Sequence, residues 1–245
     1  MTTKRLAIVT GASRGLGRAM AEQLARHGWQ VLGMSRRADD ALRFEQWRVD
    51  LADAPAAALK LQAWLRAFEP SRFAEAVLIH NAASLAPPGS IDAADDADTS
   101  AALRVGVEAP VLMSAAFLRA TRPWAGGRKL LFISSGLGRR AMAGAATYCA
   151  TKAALDHFAH ALALDEALHA NGARVVSLAP GIIDTDMQVQ LRSSDPARFS
   201  ERERFAQFHR DGLLDSPADA AAKVLAYLAR PDFGSHPVAD VRDPA

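Results

Sequence analysis

The segment TGASRGLG at residues 10–17 joins an apolar run, Leu6–Thr10, to a helical pattern that continues to about His27. Glycine lets the chain turn tightly and lets backbone N–H groups approach a phosphate, and the N-terminus of the following helix adds positive dipole charge. The spacing is G-x-x-x-G-x-G, which differs from the common G-x-G-x-x-G fingerprint. An ordinary tight turn is the alternative, but the position between a first strand and a first helix favours nucleotide binding.

Outward from this turn, short apolar runs alternate with longer helical patterns. The further runs predicted to be strands are Trp29–Met34, Gln46–Val49, Ala76–His80, Lys129–Ser134 and Val175–Leu178. Helical spacing is strongest over Pro55–Phe68 and Ala146–Ala170. Because the strand runs are continuously apolar rather than alternating, we expect a sheet that is covered on both faces. The alternation therefore predicts a parallel, doubly wound α/β sheet.

Composition excludes several classes of protein. The 245 residues are 50% hydrophobic, with 29 basic and 27 acidic side chains, so neither a disordered chain nor a generic nucleic-acid binder is indicated. The single cysteine, Cys149, excludes an intrachain disulfide, and the histidines form no metal-binding pattern. No apolar run reaches the roughly 18 residues of a membrane span, and the N-terminus runs directly into the first strand, so we expect no signal peptide. We expect a cytoplasmic protein without a metal, nucleic-acid or membrane partner.

A polar and charged stretch from about residue 186 to 215 interrupts the alternation of strands and helices. We interpret it as a helical insertion on the surface near a site, and a mobile loop is the alternative. Because the insertion and residues 85–95 would shape a substrate pocket, the identity of the substrate depends on the part of the chain where patterns are least informative.

Cofactor preference is indicated by the residues after the second strand. An acidic residue there would accept the ribose hydroxyls of NAD, but Arg36 and Arg37 occupy these positions and the first acid is Asp39. Arg14 adds a third guanidinium within the glycine-rich turn. Arginines form bidentate bonds with a phosphate, so NADP is favoured over NAD. The alternative is that Arg36 and Arg37 are simply solvated.

Three polar side chains suggest the chemistry. Tyr148 and Lys152 are separated by four residues and share one helix face, and Ser135 follows the predicted fifth strand. A free tyrosine has a pKa near 10, and we expect the Lys152 ammonium to lower the Tyr148 pKa. A serine hydroxyl can hold a substrate oxygen. The three groups are suited to hydride transfer to or from a carbonyl.

These elements together resemble the short-chain dehydrogenase/reductase family. The matching segments are TGASRGLG, Asp50-Leu51, His80-Asn81-Ala82-Ala83, Ser135, Tyr148, Lys152 and Pro180-Gly181 followed by Thr185. They occur in the family's order over roughly residues 5–190. The resemblance implies a single Rossmann-like domain over residues 1–245, with seven parallel strands and helices on both faces. It also implies a homodimer or homotetramer.

The family's roles can be carried over by position. Ser135 would orient the carbonyl, Tyr148 would be the general acid in reduction, and Lys152 would lower the Tyr148 pKa and bind the nicotinamide ribose. The NADP(H)-binding residues would be Gly11, Ser13, Arg14, Gly15, Leu16, Gly17, Arg36, Arg37, Asp50, Leu51, Asn81, Ala82, Tyr148, Lys152, Pro180, Gly181, Ile183 and Thr185. His80 stands where the family more often has asparagine, and we interpret it as a structural residue at the strand end.

A narrower resemblance is to sepiapterin reductase and the related bacterial benzil reductases. It rests on YCATKAALDHFAHALALDE from Tyr148, APGIIDTDMQ from Ala179, and DFGSHPVADVRD near the C-terminus. It implies NADPH-dependent reduction of a vicinal dicarbonyl or a pterin side-chain ketone. Asp243 matches the acidic residue that anchors the pterin, although a solvated terminal charge is the alternative. Asp186 and Met187 are further candidates on the substrate side.

One departure concerns the asparagine that usually interrupts the helix before the fifth strand and helps to place a relay water. Gly106 stands there. Pro110 cannot donate to the carbonyl of residue 106, so we hypothesise that this free carbonyl binds the water instead and that Gly106→Asn changes the rate little. The alternatives are a packing kink, or a catalytically silent NADP-binding sensor. Another alcohol dehydrogenase or a ketoacyl reductase of the same family is the remaining enzymatic alternative.

Overall fold

The computed structural model describes residues 4–244 and contains one seven-stranded sheet in which every neighbouring pair is parallel. The strands are β1 Lys4–Thr10, β2 Gln30–Ser35, β3 Glu45–Arg48, β4 Phe73–His80, β5 Gly127–Ile133, β6 Arg174–Ala179 and β7 Val238–Asp240. Their order is β3-β2-β1-β4-β5-β6-β7. The chain reverses direction across the sheet between β1 and β4, and such a switch point opens a crevice at the carboxyl ends of the strands.

Eight α-helices are described around this sheet. They are α1 Gly15–Arg26, α2 Ala54–Arg66, α3 Asp96–Leu103, α4 Ala109–Thr121, α5 Ala146–Ala167, α6 Asp186–Arg192, α7 Arg202–Arg210 and α8 Pro217–Leu228. Leu6 and Ile8 of β1 lie in a core with α2, α4 and α5, whereas Ala7 and Val9 lie in a second core with α1 and α8. Both faces of the sheet are covered, so the predicted fold class is confirmed.

Strand positions agree with the sequence pattern to within three residues at either end for the six runs that were located. The seventh strand had no predicted position, and the structure places it at Val238–Asp240, paired in register with Ser177–Ala179. A strand of three residues is too short to produce a detectable hydrophobic period. Its pairing with β6 defines it instead.

The polar stretch after β6 forms two short helices, α6 and α7, as the insertion hypothesis proposes. Phe199 between them is buried at 1% exposure, and its ring stacks on that of Phe205 with centroids 5.8 Å apart. A bridge between Ile183 and Asp215 joins the two ends of the insertion. The insertion therefore has a small apolar core of its own.

One helical stretch has the length and composition of a membrane span, although it contains no continuous apolar run of about 18 residues. Asp96–Thr121 contains α3, a π-helical turn and α4, and an 18-residue window within it has a mean hydropathy of 1.5. Half of that window is buried within the fold. Met113 and Phe117 are fully buried in the core that α4 shares with α2. This is the packing of a core helix, and its apolar composition follows from burial against the sheet.

Candidate active site

The glycine-rich turn lies at the crevice and is packed so closely that larger residues do not fit. Gly11 has a φ of +69° and donates to the Met34 carbonyl at 2.8 Å. A Cβ on Gly17 would overlap both the Asn81 amide nitrogen and the Gly11 carbonyl oxygen. Backbone therefore lines this part of the crevice, as close approach to a pyrophosphate requires.

The N-terminus of α1 has the features of an anion site. Its N-cap residue, Arg14, makes no side-chain capping hydrogen bond, and the first turn contains no acidic residue. The first N–H groups of a helix have no partner within the helix, and the dipole favours negative charge there. Together with the close packing of Gly11 and Gly17, these features fit the pyrophosphate of a dinucleotide.

Asn81 fixes the end of β4 against the same turn. The Thr10 hydroxyl oxygen accepts from the backbone N–H groups of Asn81 and Ala82, each at 3.0 Å. The Asn81 amide in turn donates to the Thr10 carbonyl at 3.0 Å and the Gly11 carbonyl at 3.3 Å. This network holds the two strands that border the switch point in one geometry.

The predicted adenine side lies at the carboxyl ends of β2 and β3. Arg36 and Arg37 are exposed directly after β2. Asp39, the first acid after them, accepts from Arg18 at 2.9 Å, so its charge is paired. Leu51 is buried and Asp50 is exposed, with its carboxylate accepting from the Ala52 N–H at 3.0 Å.

Ser135, Tyr148 and Lys152 meet beside the crevice. The Ser135 hydroxyl caps a short 3₁₀ turn after β5 by accepting from the Leu137 N–H at 3.2 Å. Lys152 is buried at 4% exposure, and its ammonium donates to the Ile133 carbonyl at 2.7 Å. The same nitrogen lies 5.5 Å from the centre of the Tyr148 ring.

Burial has the largest effect on the pKa values of Tyr148 and Lys152. Burial raises the pKa of the Tyr148 phenol to about 12, and a hydrogen bond with Ser135 acts in the opposite direction. Burial also lowers the pKa of Lys152 to about 8, against the effect of the Asp156 carboxylate. Desolvation of the phenol outweighs the hydrogen bond with Ser135, so the Tyr148 pKa lies above the free value near 10, and the effect of Lys152 on it stays a prediction. Tyr148 is therefore a neutral phenol at neutral pH, which is the form that donates a proton.

The segment after β6 lies opposite the glycine-rich turn. Pro180 is buried, and a Cβ on Gly15 would lie 3.5 Å from the Thr185 methyl carbon. Arg14 forms an ion pair with Asp186 at 2.6 Å, in which both side chains are 72% exposed. The structure thus places Thr185, which is predicted to bind the cofactor, next to the glycine-rich turn. Gly181 and Ile183 are half-buried in the connection, as is Met187 one residue into α6.

Asp243 lies in the turn that follows β7. Its carboxylate accepts from the Asp240 backbone N–H at 2.7 Å, and the residue is exposed. The predicted substrate role of Asp243 stays a prediction. Asp240 was not singled out from the sequence, yet it is buried at 7% exposure and forms an ion pair with Arg242 at 2.6 Å.

The position of the usual relay asparagine lies in a π-helical turn, Arg104–Glu108, where the Ala109 N–H bonds to the Arg104 carbonyl. The helix distortion that Pro110 suggested is therefore present. A Cβ on Gly106 would lie 3.0 Å from both the Cβ and the methyl carbon of Thr151, one residue before Lys152. The added side chain of Gly106→Asn would require Thr151 to shift by a few tenths of an ångström, and the expectation that this substitution changes the rate little stays a prediction.

His80 has the structural role that the sequence favoured. It is buried, its Nε2 lies 2.9 Å from the Ser114 hydroxyl, and its ring stacks on Phe132 with centroids 4.8 Å apart. Burial lowers the pKa of His80 to about 3. The side chain is therefore neutral and belongs to the core.

A cleft beside Tyr148 is formed by two segments that are far apart in the sequence. It is lined by Leu85, Ala86, Pro87, Gly89, Ile91, Ala94 and residues 144–148. The Gly89 N–H donates to the Gly144 carbonyl at 2.9 Å, and a Cβ on Gly144 would lie 2.9 Å from the Phe199 ring. The insertion thus packs onto the outer wall of the cleft. Over residues 4–244, no group of three or more His, Cys, Asp and Glu side chains forms a metal site.

Sequence reasoning missed two residues next to the catalytic candidates. Asp156 follows Lys152 by one helical turn and is buried at 7% exposure. Arg139 lies four residues after Ser135, and its Nε is 3.4 Å from the Asp156 carboxylate. A charged residue at this spacing within an otherwise apolar helix pattern was the available signal for Asp156.

Comparison with known proteins defines the class first. A family model described as short chain dehydrogenase matches residues 5–196. The match contains the glycine-rich turn, Asn81, Ser135, Tyr148 and Lys152. The chain belongs to this family of oxidoreductases.

Individual relatives show which members of the family this chain is similar to. The chain is 30% identical over 227 residues to a benzil reductase of Bacillus subtilis that forms (S)-benzoin, covering 92% of this chain and 93% of the relative. It is 30% identical over 257 residues to sepiapterin reductase of Rattus norvegicus, covering 96% and 95%. A crystal structure of a short-chain dehydrogenase/reductase from Burkholderia vietnamiensis is 34% identical, with a TM-score of 0.67 and full coverage of both chains. The chain is thus a family member of the benzil and sepiapterin reductase kind.

Proposed function

We propose that this protein is an NADPH-dependent carbonyl reductase whose substrate is a vicinal dicarbonyl or a pterin-like side-chain ketone. The observation that carries the proposal is the meeting of Ser135, Tyr148 and Lys152 beside a cleft at the switch point of the sheet. The names of the two relatives, benzil reductase and sepiapterin reductase, support the substrate class.

NADP(H) would be held by the turn at residues 10–17, by Asn81 and by Thr185. The cofactor supplies the hydride when it is bound. Arg36 and Arg37 are exposed directly after β2, where they could bind a 2′-phosphate, and the carboxylate that would repel this phosphate, Asp39, is paired with Arg18. Two accessible guanidinium groups and a neutralised acid support NADP over NAD.

The side chains would divide the remaining work. Ser135 and the neutral phenol of Tyr148 would both hydrogen-bond the substrate carbonyl oxygen, and Tyr148 would transfer its proton to that oxygen as negative charge develops. The Lys152 ammonium would stabilise the phenolate that remains.

Substrate contacts would come from the cleft and the insertion. Leu85, Pro87 and Ile91 supply an apolar wall that suits an aromatic or alkyl substituent of a dicarbonyl. Asp186 and Met187 at the start of α6, and Asp243 after β7, are the proposed polar and flexible contacts on the substrate side.

We propose a cytoplasmic homodimer, with a homotetramer as the alternative, built from one domain over residues 1–245. Leu164 and Leu168 support an interface on α5, because they are 73% and 85% exposed on a helix whose other face is buried. Size-exclusion chromatography with light scattering measures the oligomeric state directly.

The test of the function is NADPH oxidation with benzil, sepiapterin and a simple ketoester, measured by absorbance for the wild type and Tyr148→Phe. We expect turnover with the dicarbonyls and a loss of about a thousandfold or more in the variant, which lacks the proton donor. Tyr148→Phe should still bind NADPH, because the turn at residues 10–17, Asn81 and Thr185 are unchanged in this variant. Turnover of the ketoester alone would favour a ketoacyl reductase, and NADPH binding without any turnover would favour a sensor.

A further inference from the structure

A buried carboxylate that the proposed reaction does not use lies directly behind the catalytic candidates. Asp156 on α5 is 7% exposed. One carboxylate oxygen accepts from two hydroxyls, Ser134 at 2.6 Å and Ser177 at 2.7 Å. Because a buried charge is costly unless it is hydrogen-bonded and paired, such a residue within a core helix requires an explanation.

The Ser134 hydroxyl connects Asp156 to the segment that follows β5, and the Ser177 hydroxyl connects it to β6. Ser134 is the residue immediately before Ser135, and Ile133 before it receives the hydrogen bond of the Lys152 ammonium at 2.7 Å. Lys152 and Asp156 are one helical turn apart. Two side chains on one face of α5 therefore form hydrogen bonds with two consecutive residues, Ile133 at the end of β5 and Ser134 directly after it.

The second carboxylate oxygen faces the segment that follows Ser135. The Arg139 Nε lies 3.4 Å from it, and the same guanidinium donates to the Ala239 carbonyl of β7 at 2.6 Å. A Cβ on Gly138 would come within 2.6 Å of this oxygen. Among the described residues this oxygen has no hydrogen bond, so its charge is only partly neutralised by the Arg139 ion pair.

We propose that Asp156 is a positioning residue that acts through Lys152, since its negative charge keeps the buried Lys152 side chain in the ammonium form that Tyr148 requires. The inference rests on the proposed roles of Tyr148 and Lys152. It adds a residue whose charge, rather than its shape, supports the reaction.

The charges around Lys152 agree with this assignment. Arg139, from the segment after β5, forms an ion pair with Asp156. Asp240 and Arg242, at the end of β7, form an ion pair with each other. The Asp156 carboxylate raises the pKa of Lys152, whereas burial lowers it to about 8.

The two charged side chains of the π-helical turn that packs on α5, Arg104 and Glu108, are exposed. Within residues 4–244, the Asp156 carboxylate is the charge that raises the pKa of Lys152 and so opposes its deprotonation. Without that charge a buried lysine would lose its proton closer to neutral pH.

Asp156→Asn isolates the charge, because asparagine has the same shape and its carbonyl oxygen can still accept from Ser134 and Ser177. We expect the Lys152 pKa to fall by roughly one unit in this variant. The descending limb of the pH profile of kcat/KM should move to lower pH by the same amount. With a wild-type Lys152 pKa of about 8, activity should therefore fall by about threefold near pH 7.5 and by nearly tenfold above about pH 9, and it should recover toward the wild-type value as the pH is lowered.

A matched control lies on the same helix. Glu166 is also a buried acid of α5, paired with Arg122 and accepting from the Ala173 N–H at 2.8 Å. It lies 14 residues after Lys152, which is about 20 Å along the helix. Glu166→Gln should lower the temperature of unfolding but leave the pH profile unchanged.

A second readout does not require turnover. The chain has five lysines, Lys4, Lys60, Lys129, Lys152 and Lys223, so NMR of protein with isotope-labelled lysine can follow each ammonium through a pH titration. We expect the Lys152 signal to titrate at lower pH in Asp156→Asn than in the wild type or Glu166→Gln. If the wild type reduces none of the carbonyls, the proposed function fails, whereas this titration still decides the role of Asp156.

The proposal would be overturned by an unchanged Lys152 titration in folded Asp156→Asn, or by an activity loss that is equal at every pH. Either result would assign Asp156 a purely structural role. Should Asp156→Asn not fold, Arg139→Gln provides a test with the opposite expected sign. This substitution removes the positive charge that partly neutralises the Asp156 carboxylate. Lys152 should then titrate at higher pH, and a titration at the wild-type pH or below contradicts the proposal.

Discussion

The cofactor side and the substrate side of the crevice are built in different ways. On the cofactor side, backbone groups and glycines within residues 10–17 form the surface, and Thr10 and Asn81 fix it through hydrogen bonds between neighbouring strands. On the substrate side, the wall comes from residues 85–94 and 144–148, with Phe199 of the insertion packed behind it. A local motif determines the first surface, whereas contacts between three distant segments determine the second.

Because the two sides of the crevice are built differently, they should tolerate amino-acid substitutions to different extents. A close-packed backbone site admits almost no substitution, because every added atom displaces a strand or the cofactor. A wall assembled from loops can change shape by repacking, which is how one fold serves many carbonyl substrates. The exposed ion pair of Arg14 with Asp186 joins the two sides, and an exposed pair of this kind contributes little to stability.

The largest effect is expected for a substitution on the cofactor side that weakens NADPH binding. Gly17→Ala places a Cβ on the Asn81 amide and the Gly11 carbonyl, so it should weaken NADPH binding by about 100-fold. Gly127→Ala is the control, because a Cβ there would meet its nearest neighbour at 3.9 Å. Calorimetric titration with NADPH measures both. Wild-type affinity in Gly17→Ala would show that the turn does not approach the cofactor.

The next largest effect is expected on the preference of the cofactor side for NADPH over NADH. Arg36→Ala with Arg37→Ala should weaken NADPH binding by roughly 30-fold and leave NADH binding unchanged, because only NADPH carries the 2′-phosphate. Arg43→Ala removes another exposed arginine nearby and serves as the control. An equal loss for both cofactors would contradict the assignment of these arginines to the phosphate.

A substitution on the substrate side should leave the cofactor side intact. Phe199→Ala removes the buried ring behind Gly144, so we expect the substrate KM to rise by about tenfold while NADPH affinity stays the same. Phe208→Ala is the matched control, because this half-buried ring of α7 contacts Phe205 instead. Steady-state kinetics with benzil distinguish the two. A parallel loss of NADPH binding would mean that the two sides are coupled.

The smallest effect near neutral pH concerns the core behind Asn81. The pKa of His80 is about 3 in the folded protein and near 6.5 in an unfolded chain, so below pH 6.5 the unfolded state binds the additional proton. The free energy of unfolding should therefore fall as the pH decreases from 6.5 toward 3, by up to about 1.4 kcal/mol per unit from this residue. Above pH 6.5 the contribution is constant.

His80→Gln should flatten this dependence, because glutamine can still bond Ser114 but takes up no proton. Urea unfolding at several pH values measures it, with the exposed His209 changed to glutamine as the control. An unchanged slope in His80→Gln would mean that His80 is not the residue that titrates on unfolding.

Sequence patterns predicted the parallel sheet, six of its strands and the alignment of Ser135, Tyr148 and Lys152. They did not locate β7, because three residues paired through β6 carry no period of their own. They also did not reveal the high pKa of Tyr148, which depends on how deeply the phenol is buried. The contact of Gly106 with Thr151 was likewise invisible, since it joins two helices that are 45 residues apart.

By itself, the sequence determined the fold class, the glycine-rich turn and the side chains that are proposed to react. These follow from local rules, namely apolar runs, glycine spacing and residues four apart on a helix. The tertiary structure alone decided the protonation of Tyr148 and Lys152, the position of Asp156 behind them, and the wall of the substrate cleft. These properties depend on burial and on contacts between distant segments, and both exist only once the chain is packed.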